Sequence, residues 1–292
     1  MNKLLDKVYD KVIGRKREIL MIASALQAGK HIFLEGPPGT SKSTILQAIS
    51  DCTGRPYILV TGNSDLTTSK LLGYFDPAET LANGYKAEFF NPGPLLQAMK
   101  YGMYLYIEEF NRLPDETTNV FITAMSEKKL TIPRLGTVEA HPAFRIIAAL
   151  NPLDDIGISR ISRALKDRFS SIRMDYHSRD EEIEIVKQQT GCVNDDIVTL
   201  SVDIARETRT HPDLKLGSSV RGSIDMVEIY IETADVLNLA AEKEPAGEDI
   251  LFSSALMAFR NKIWLYETSE RTAEDVIAKI LEKLSRQKKK PA

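Results

Sequence analysis

Two cysteines in 292 residues, Cys52 and Cys192, are too few for a disulfide framework or a thiolate zinc cage. No apolar run approaches the roughly 20 residues that cross a bilayer. Met1 to Lys16 is charged throughout and lacks the apolar core of a signal peptide. A cytoplasmic protein without membrane insertion is therefore expected. Basic residues are not in excess: 38 Lys and Arg stand against 41 Asp and Glu, a formal net charge of −3. That balance disfavours a dedicated nucleic-acid surface. The one basic run, Lys288-Lys289-Lys290, reads as a solvated tail. Internal repeats and low-complexity segments are also missing. What is left is an ordinary globular balance, 43% hydrophobic and 27% charged, with length enough for two domains.

Periodicity divides the chain near residue 176. Before it, short apolar runs that read as buried strands alternate with helical patterns: His31–Glu35, Tyr57–Val60, Met103–Ile107, Phe144–Leu150 and Ile172–Met174. Helices are expected over residues 1–28 with a break at Gly14, from Ser43 to about Cys52, over Leu95–Tyr101, Asp115–Glu127 and Ser162–Arg168. Leu130-Thr131-Ile132 and Thr137-Val138 flank Pro133 to Gly136 and suggest a hairpin. Residues 61–94 carry too many Gly and Pro for a regular pattern, yet hold Tyr74, Phe75, Tyr85, Phe89 and Phe90. Those aromatics serve either local packing or contact with another protein. After Tyr176 only helical periodicity remains, over 181–189, 194–208, 218–237, 248–266 and 272–286. An α/β domain, 1–176, followed by a smaller all-α domain, 177–292, is the expected organisation.

The chemistry concentrates first at Gly36-Pro37-Pro38-Gly39-Thr40-Ser41-Lys42-Ser43-Thr44, between an apolar strand and an amphipathic helix. Strand, small-residue loop, Lys-Ser and helix N-terminus are the parts of a phosphate-binding loop. Its backbone N–H groups and the positive end of the helix dipole both face an anion. In such a loop Lys42 reaches the β/γ-phosphates and the Ser43 hydroxyl holds Mg²⁺. Ser41 stands where a second glycine is usual.

A second acidic element should hold the metal and prepare water. Tyr104-Leu105-Tyr106-Ile107-Glu108-Glu109 supplies it, an apolar strand ending in two carboxylates. Glu108 would bind Mg²⁺, usually through water, and Glu109 would orient or deprotonate the attacking water. Most phosphate-loop proteins place Asp first, so Glu108 is one methylene longer. Asn151 ends the next apolar strand and could hydrogen-bond both the γ-phosphate and the water. Arg168, with Arg163 as a rival, is a candidate arginine finger, and Arg221 opens a helix of the second domain from which it could reach a phosphate.

This series, in this order, resembles an AAA+ ATPase, and within that superfamily the MoxR group. Asn91-Pro92-Gly93-Pro94-Leu95, Glu109-Phe110-Asn111-Arg112 and Gly217 to Arg221 carry the finer likeness, which spans nearly the whole chain. The resemblance implies a five-stranded parallel sheet ordered 5-1-4-3-2, a helical lid, an insert at about 66–92 and a hairpin at about 128–140. It also implies ATP and Mg²⁺, hexameric rings with a finger reaching the neighbour's nucleotide, and a partner protein that often carries a von Willebrand factor A domain. Ser41 and Glu108 depart from the family's Gly and Asp. Remodelling or activation of a partner protein is the expected function; a nucleotide-gated binding module with weak hydrolysis is the alternative. A DNA-directed motor is disfavoured by charge, and a small-molecule kinase by a residue set that prepares water.

Overall fold

Side-chain alternation along the strands decides the layers. In the computed structural model, which describes residues 2–152, 161–237 and 247–288, five strands form the central sheet: β1 (His31–Glu35), β2 (Tyr57–Thr61), β3 (Tyr104–Glu108), β4 (Arg145–Leu150) and β5 (Phe169–Arg173). All pair in parallel, in the order β2-β3-β4-β1-β5. Numbered along the chain, this is the expected order 5-1-4-3-2 read from the β5 edge. Phe33, Leu105, Ile107, Ile146 and Ala148 face one way, into a core with Leu95, Leu96 and Met99 of helix Pro94–Tyr101 and Phe121 and Ala124 of helix Asp115–Glu127. Ile32, Leu34, Tyr104, Tyr106, Ile147 and Ala149 face the other, against helices Asn2–Tyr9, Lys16–Gln27 and Lys42–Thr53. Strands buried on both faces read as continuous apolar runs, which is why the sequence exposed them.

Contacts divide the chain into two units. The first runs to Asp175; the second begins at Tyr176 and also takes Pro38–Thr40 of the phosphate loop. The second unit builds its own core from helices Arg179–Thr190, Asp195–Thr210, Val220–Val236, Glu248–Phe259 and Ala273–Lys288. Inside it the Glu182 carboxylate is buried and paired with Arg209 at 2.7 Å and Arg206 at 3.3 Å. The Arg209 guanidinium also stacks 3.9 Å from the Tyr176 ring and donates to the Ser218 carbonyl at 2.7 Å, so the charge is held on several sides.

Several boundaries differ from those read from the sequence. The last sheet strand begins at Phe169, not Ile172, because it pairs with the whole of β1. Helix Glu248–Phe259 stops short of Tyr266: Trp264–Leu265 instead pairs antiparallel with Leu214–Leu216, so the second unit is helical with a small β-ribbon. Strands this short give no periodicity to read. The stretch expected to be irregular folds locally into helices Thr68–Leu72 and Pro77–Asn83 and a ribbon of Gly73–Phe75 with Phe90–Pro92. Phe75 makes edge contacts with Tyr85 and Phe90, so part of the aromatic cluster packs on itself, while Tyr74 and Leu81 are exposed. The hairpin is Lys129–Ile132 with Gly136–Glu139, and Arg134 at its tip lies 3.9 Å from the Tyr85 ring. Lys289 and Lys290 of the basic run lie outside the described residues. Among the described residues no helix is long and apolar enough to cross a membrane.

Candidate phosphate-binding and acidic site

Parallel register brings the chemistry-bearing residues to one edge. Glu35 pairs with Leu150 and Thr61 with Glu108, so the segments after β1, β2, β3 and β4 all leave the sheet at its C-terminal side. Open α/β sheets bind ligands there. The Gly36 amide donates to the Leu150 carbonyl at 3.2 Å, which sets the start of the loop beside Asn151. A side chain at Gly36 would lie 2.1 Å from the Met174 carbonyl, so only glycine fits between β4 and the end of β5.

Gly39 has φ 72° and Ser41 φ 66°, both left-handed. A non-glycine residue there carries a steric cost, the physical reason glycine is usual at the second position. Ser41 directly precedes helix Lys42–Thr53, whose first turn presents its free N–H groups at the loop. The Lys42 ammonium donates to the Gly36 and Pro37 carbonyls, each at 2.8 Å. Thr40 is buried, whereas Pro38, Ser43 and Thr44 are exposed.

Tyr104, Tyr106 and Glu108 alternate onto the face of β3 that meets helix Lys42–Thr53. The Ser43 hydroxyl donates to the Glu108 carboxylate and lies 3.2 Å from the Tyr106 hydroxyl. Since Ser43 has one proton and gives it to Glu108, Tyr106 is the donor in its contact with Ser43. Burial pushes the Tyr106 phenol up, which keeps it a proton donor. The longer Glu108 side chain therefore still reaches the hydroxyl. A hydroxyl and a carboxylate in contact are hard oxygen donors that suit Mg²⁺.

Glu109 follows with φ 51° and ψ 40°, a left-handed backbone on a non-glycine residue. Strain of this kind clusters at functional positions. Its carboxylate is paired to Arg112 at 3.0 Å. Gly62 supports the turn: its amide donates to the Glu108 carbonyl at 2.7 Å, and a Cβ there would fall 2.4 Å from the Glu109 carbonyl. Sequence reading missed Tyr106, Gly62 and Arg112 as parts of the site. Tyr106 was legible in principle, being two residues before Glu108 on the same strand face.

Arg168 is not at this edge. It precedes Phe169, which pairs with His31 at the start of β1, so the length of β1, about 13 Å at ~3.3 Å per residue, separates it from the loop. Its guanidinium donates to the Ser126 hydroxyl at 2.6 Å and to the Ala164 carbonyl. Arg163 is exposed on helix Arg163–Lys166. Arg221 belongs to the second unit, in the first turn of helix Val220–Val236 behind its cap Ser219.

A five-stranded parallel sheet, a phosphate loop after its first strand and two carboxylates at the end of a neighbouring one define a P-loop protein with the AAA+ strand order. Residues 31–169 match the AAA domain family, dynein-related subfamily. An uncharacterized protein of Staphylococcus saprophyticus is 33% identical over 212 residues, covering 70% of this chain and 80% of the relative. Another, from Staphylococcus aureus, is 31% identical over 206 residues, 68% of this chain and 78% of its own. Among solved structures, a candidate ATPase from Cytophaga hutchinsonii aligns with 97% of this chain and 93% of its own at 19% identity, TM-score 0.53. RuvB of Thermotoga maritima, a Holliday junction branch migration motor, aligns with 86% of this chain and 72% of its own at 16% identity, TM-score 0.55. These two structures share the fold. Residues 31–169 therefore form an AAA domain of the dynein-related subfamily.

Proposed function

We propose that the protein hydrolyses ATP at the C-terminal edge of its sheet, as a MoxR-type AAA+ ATPase that remodels or activates a partner protein. The observation that carries this reading is the convergence of Lys42, Ser43, Glu108, Glu109 and Asn151 on the ends of adjacent parallel strands. Lys42 would exchange its loop carbonyls for the β/γ-phosphates, while the amides of Gly39 to Thr44 and the helix N-terminus face the same charge. Mg²⁺, held by Ser43 and Glu108, would neutralise charge on the phosphates when bound. Glu109 orients the attacking water and takes its proton, and Asn151 hydrogen-bonds the water and the γ-phosphate.

Arg168 lies at the opposite edge of its own sheet, so as a finger it acts on a neighbouring subunit's nucleotide. Arg163 remains its rival, and Arg221 reports nucleotide state to the second unit. That assignment goes with a ring, hexameric by the MoxR resemblance, and with a partner carrying a von Willebrand factor A domain. The net charge of −3 favours a protein client over the DNA on which the RuvB motor acts. The left-handed Ser41 and the longer Glu108 favour a second reading, a nucleotide-gated binding module with slow hydrolysis. Steady-state phosphate release by wild type against Glu109→Gln separates the two: equal rates leave only the module.

A further inference from the structure

Two residues before the acidic pair, at a strand position that needs only an apolar side chain, the chain places a phenol. The Tyr106 ring is buried among Ile32, Leu34, Ile45 and Ile147, an apolar setting in which a phenylalanine would pack equally well. Its hydroxyl is the part that packing does not require. That hydroxyl lies 3.2 Å from Ser43 Oγ, and Ser43 in turn donates to Glu108. The three side chains form one hydrogen-bonded cluster that starts in the core and ends at the solvent edge of the sheet, with the Tyr106 hydroxyl in reach of Glu108 as well as of Ser43.

We propose that Tyr106 is a positioning residue for the metal-binding hydroxyl: by donating to Ser43 Oγ it fixes that oxygen beside Glu108 for a divalent cation. The proposal rests on the ATPase reading above and deepens it. Ser43 stands at an exposed helix start where its hydroxyl is otherwise free to rotate among staggered positions. With its proton given to Glu108 and one lone pair taken by Tyr106, one lone pair is left, so the oxygen presents a single acceptor direction. The buried ring cannot follow a change of Ser43 rotamer, so the phenol selects one. Outer-shell hydrogen bonds of this kind are typically worth 10–100-fold in metal affinity. The arrangement also explains how Glu108, a methylene longer than the usual Asp, is accommodated: a hydroxyl held from below gives the longer carboxylate a fixed partner.

Tyr106→Phe removes one oxygen atom and leaves the ring in the core. The test is a Mn²⁺ titration of the protein–ATP complex, read by water proton relaxation, beside ATP affinity in EDTA and the thermal midpoint. A roughly tenfold weaker Mn²⁺ affinity in Tyr106→Phe, with metal-free ATP affinity and thermal midpoint unchanged, is the expected result. Unchanged Mn²⁺ affinity in a folded Tyr106→Phe overturns the proposal while leaving the ATPase reading intact. Wild-type protein that binds no ATP under either condition overturns both. A second comparison guards against a purely structural effect. On a Ser43→Ala background Tyr106→Phe should cost nothing further, whereas additive losses would show that the phenol does not act through Ser43.

Discussion

His31 opens the strand that leads into the phosphate loop, and its imidazole is committed to one protonation state. Nδ1 accepts the Ile146 amide at 2.9 Å, and the ring lies edge-on to Phe144 and Phe169. A proton on Nδ1 would set two donors against each other. Burial first, then the Arg145 and Lys128 cations, lower the His31 pKa from an ordinary 6.5 to about 4. The folded chain thus disfavours the proton that the unfolded chain accepts. Stability is whole above pH 6.5, falls as the pH drops from 6.5 towards 4, and levels off below. At pH 5 the loss is about 2 kcal/mol, from ~1.4 kcal/mol per unit over the interval where only the unfolded state is protonated. His31→Asn keeps an acceptor in the place of Nδ1 and does not titrate. In urea denaturation at pH 7.5 and pH 5, wild type should lose about 2 kcal/mol more than His31→Asn between the two conditions. Equal losses would refute the assignment of a neutral His31 to the base of the sheet.

Two further outcomes follow from backbone and topology. Ser41→Gly should stabilise the protein by about 0.5 kcal/mol in thermal or urea unfolding, since relief of a left-handed serine, ~1–2 kcal/mol, exceeds the entropy that glycine loses, ~0.5–1 kcal/mol; a loss above about 1 kcal/mol would show that the hydroxyl makes a needed contact. Arg168→Ala should lower turnover on the order of a thousandfold, and mixing it with Glu109→Gln subunits should restore part of the activity; no rescue at any ratio takes the finger role away from Arg168.

The sheet was legible because parallel strands buried on both faces leave unbroken apolar runs, and the loop because its glycines and Lys-Ser sit between such a run and a helix. Glu108 and Glu109 stood out as charges ending one of those runs. Harder to see was what pairing decides. Phe169 joins β5 only because His31 lies opposite it, and the ribbon at Trp264 exists only through Leu214–Leu216. Site residues escaped for a similar reason. Gly62 matters through the Glu109 carbonyl, 47 positions away in sequence numbering, and nothing local marks it. Tyr106 reads as one more apolar residue until Ser43 is seen beneath its hydroxyl. Arg168 shows the converse: its type suggested a finger, and the register of β5 adds that its own phosphate loop is out of reach.

Phosphate release per protomer at saturating ATP and Mg²⁺, compared between wild type, Glu109→Gln and Lys42→Ala, bears most directly on a hydrolytic site at this sheet edge. Glu109→Gln should keep ATP bound and turn over at least about a hundredfold more slowly than wild type, as loss of a general base requires, and Lys42→Ala should lose ATP binding. Wild-type turnover no faster than that of Glu109→Gln would contradict hydrolysis at this site.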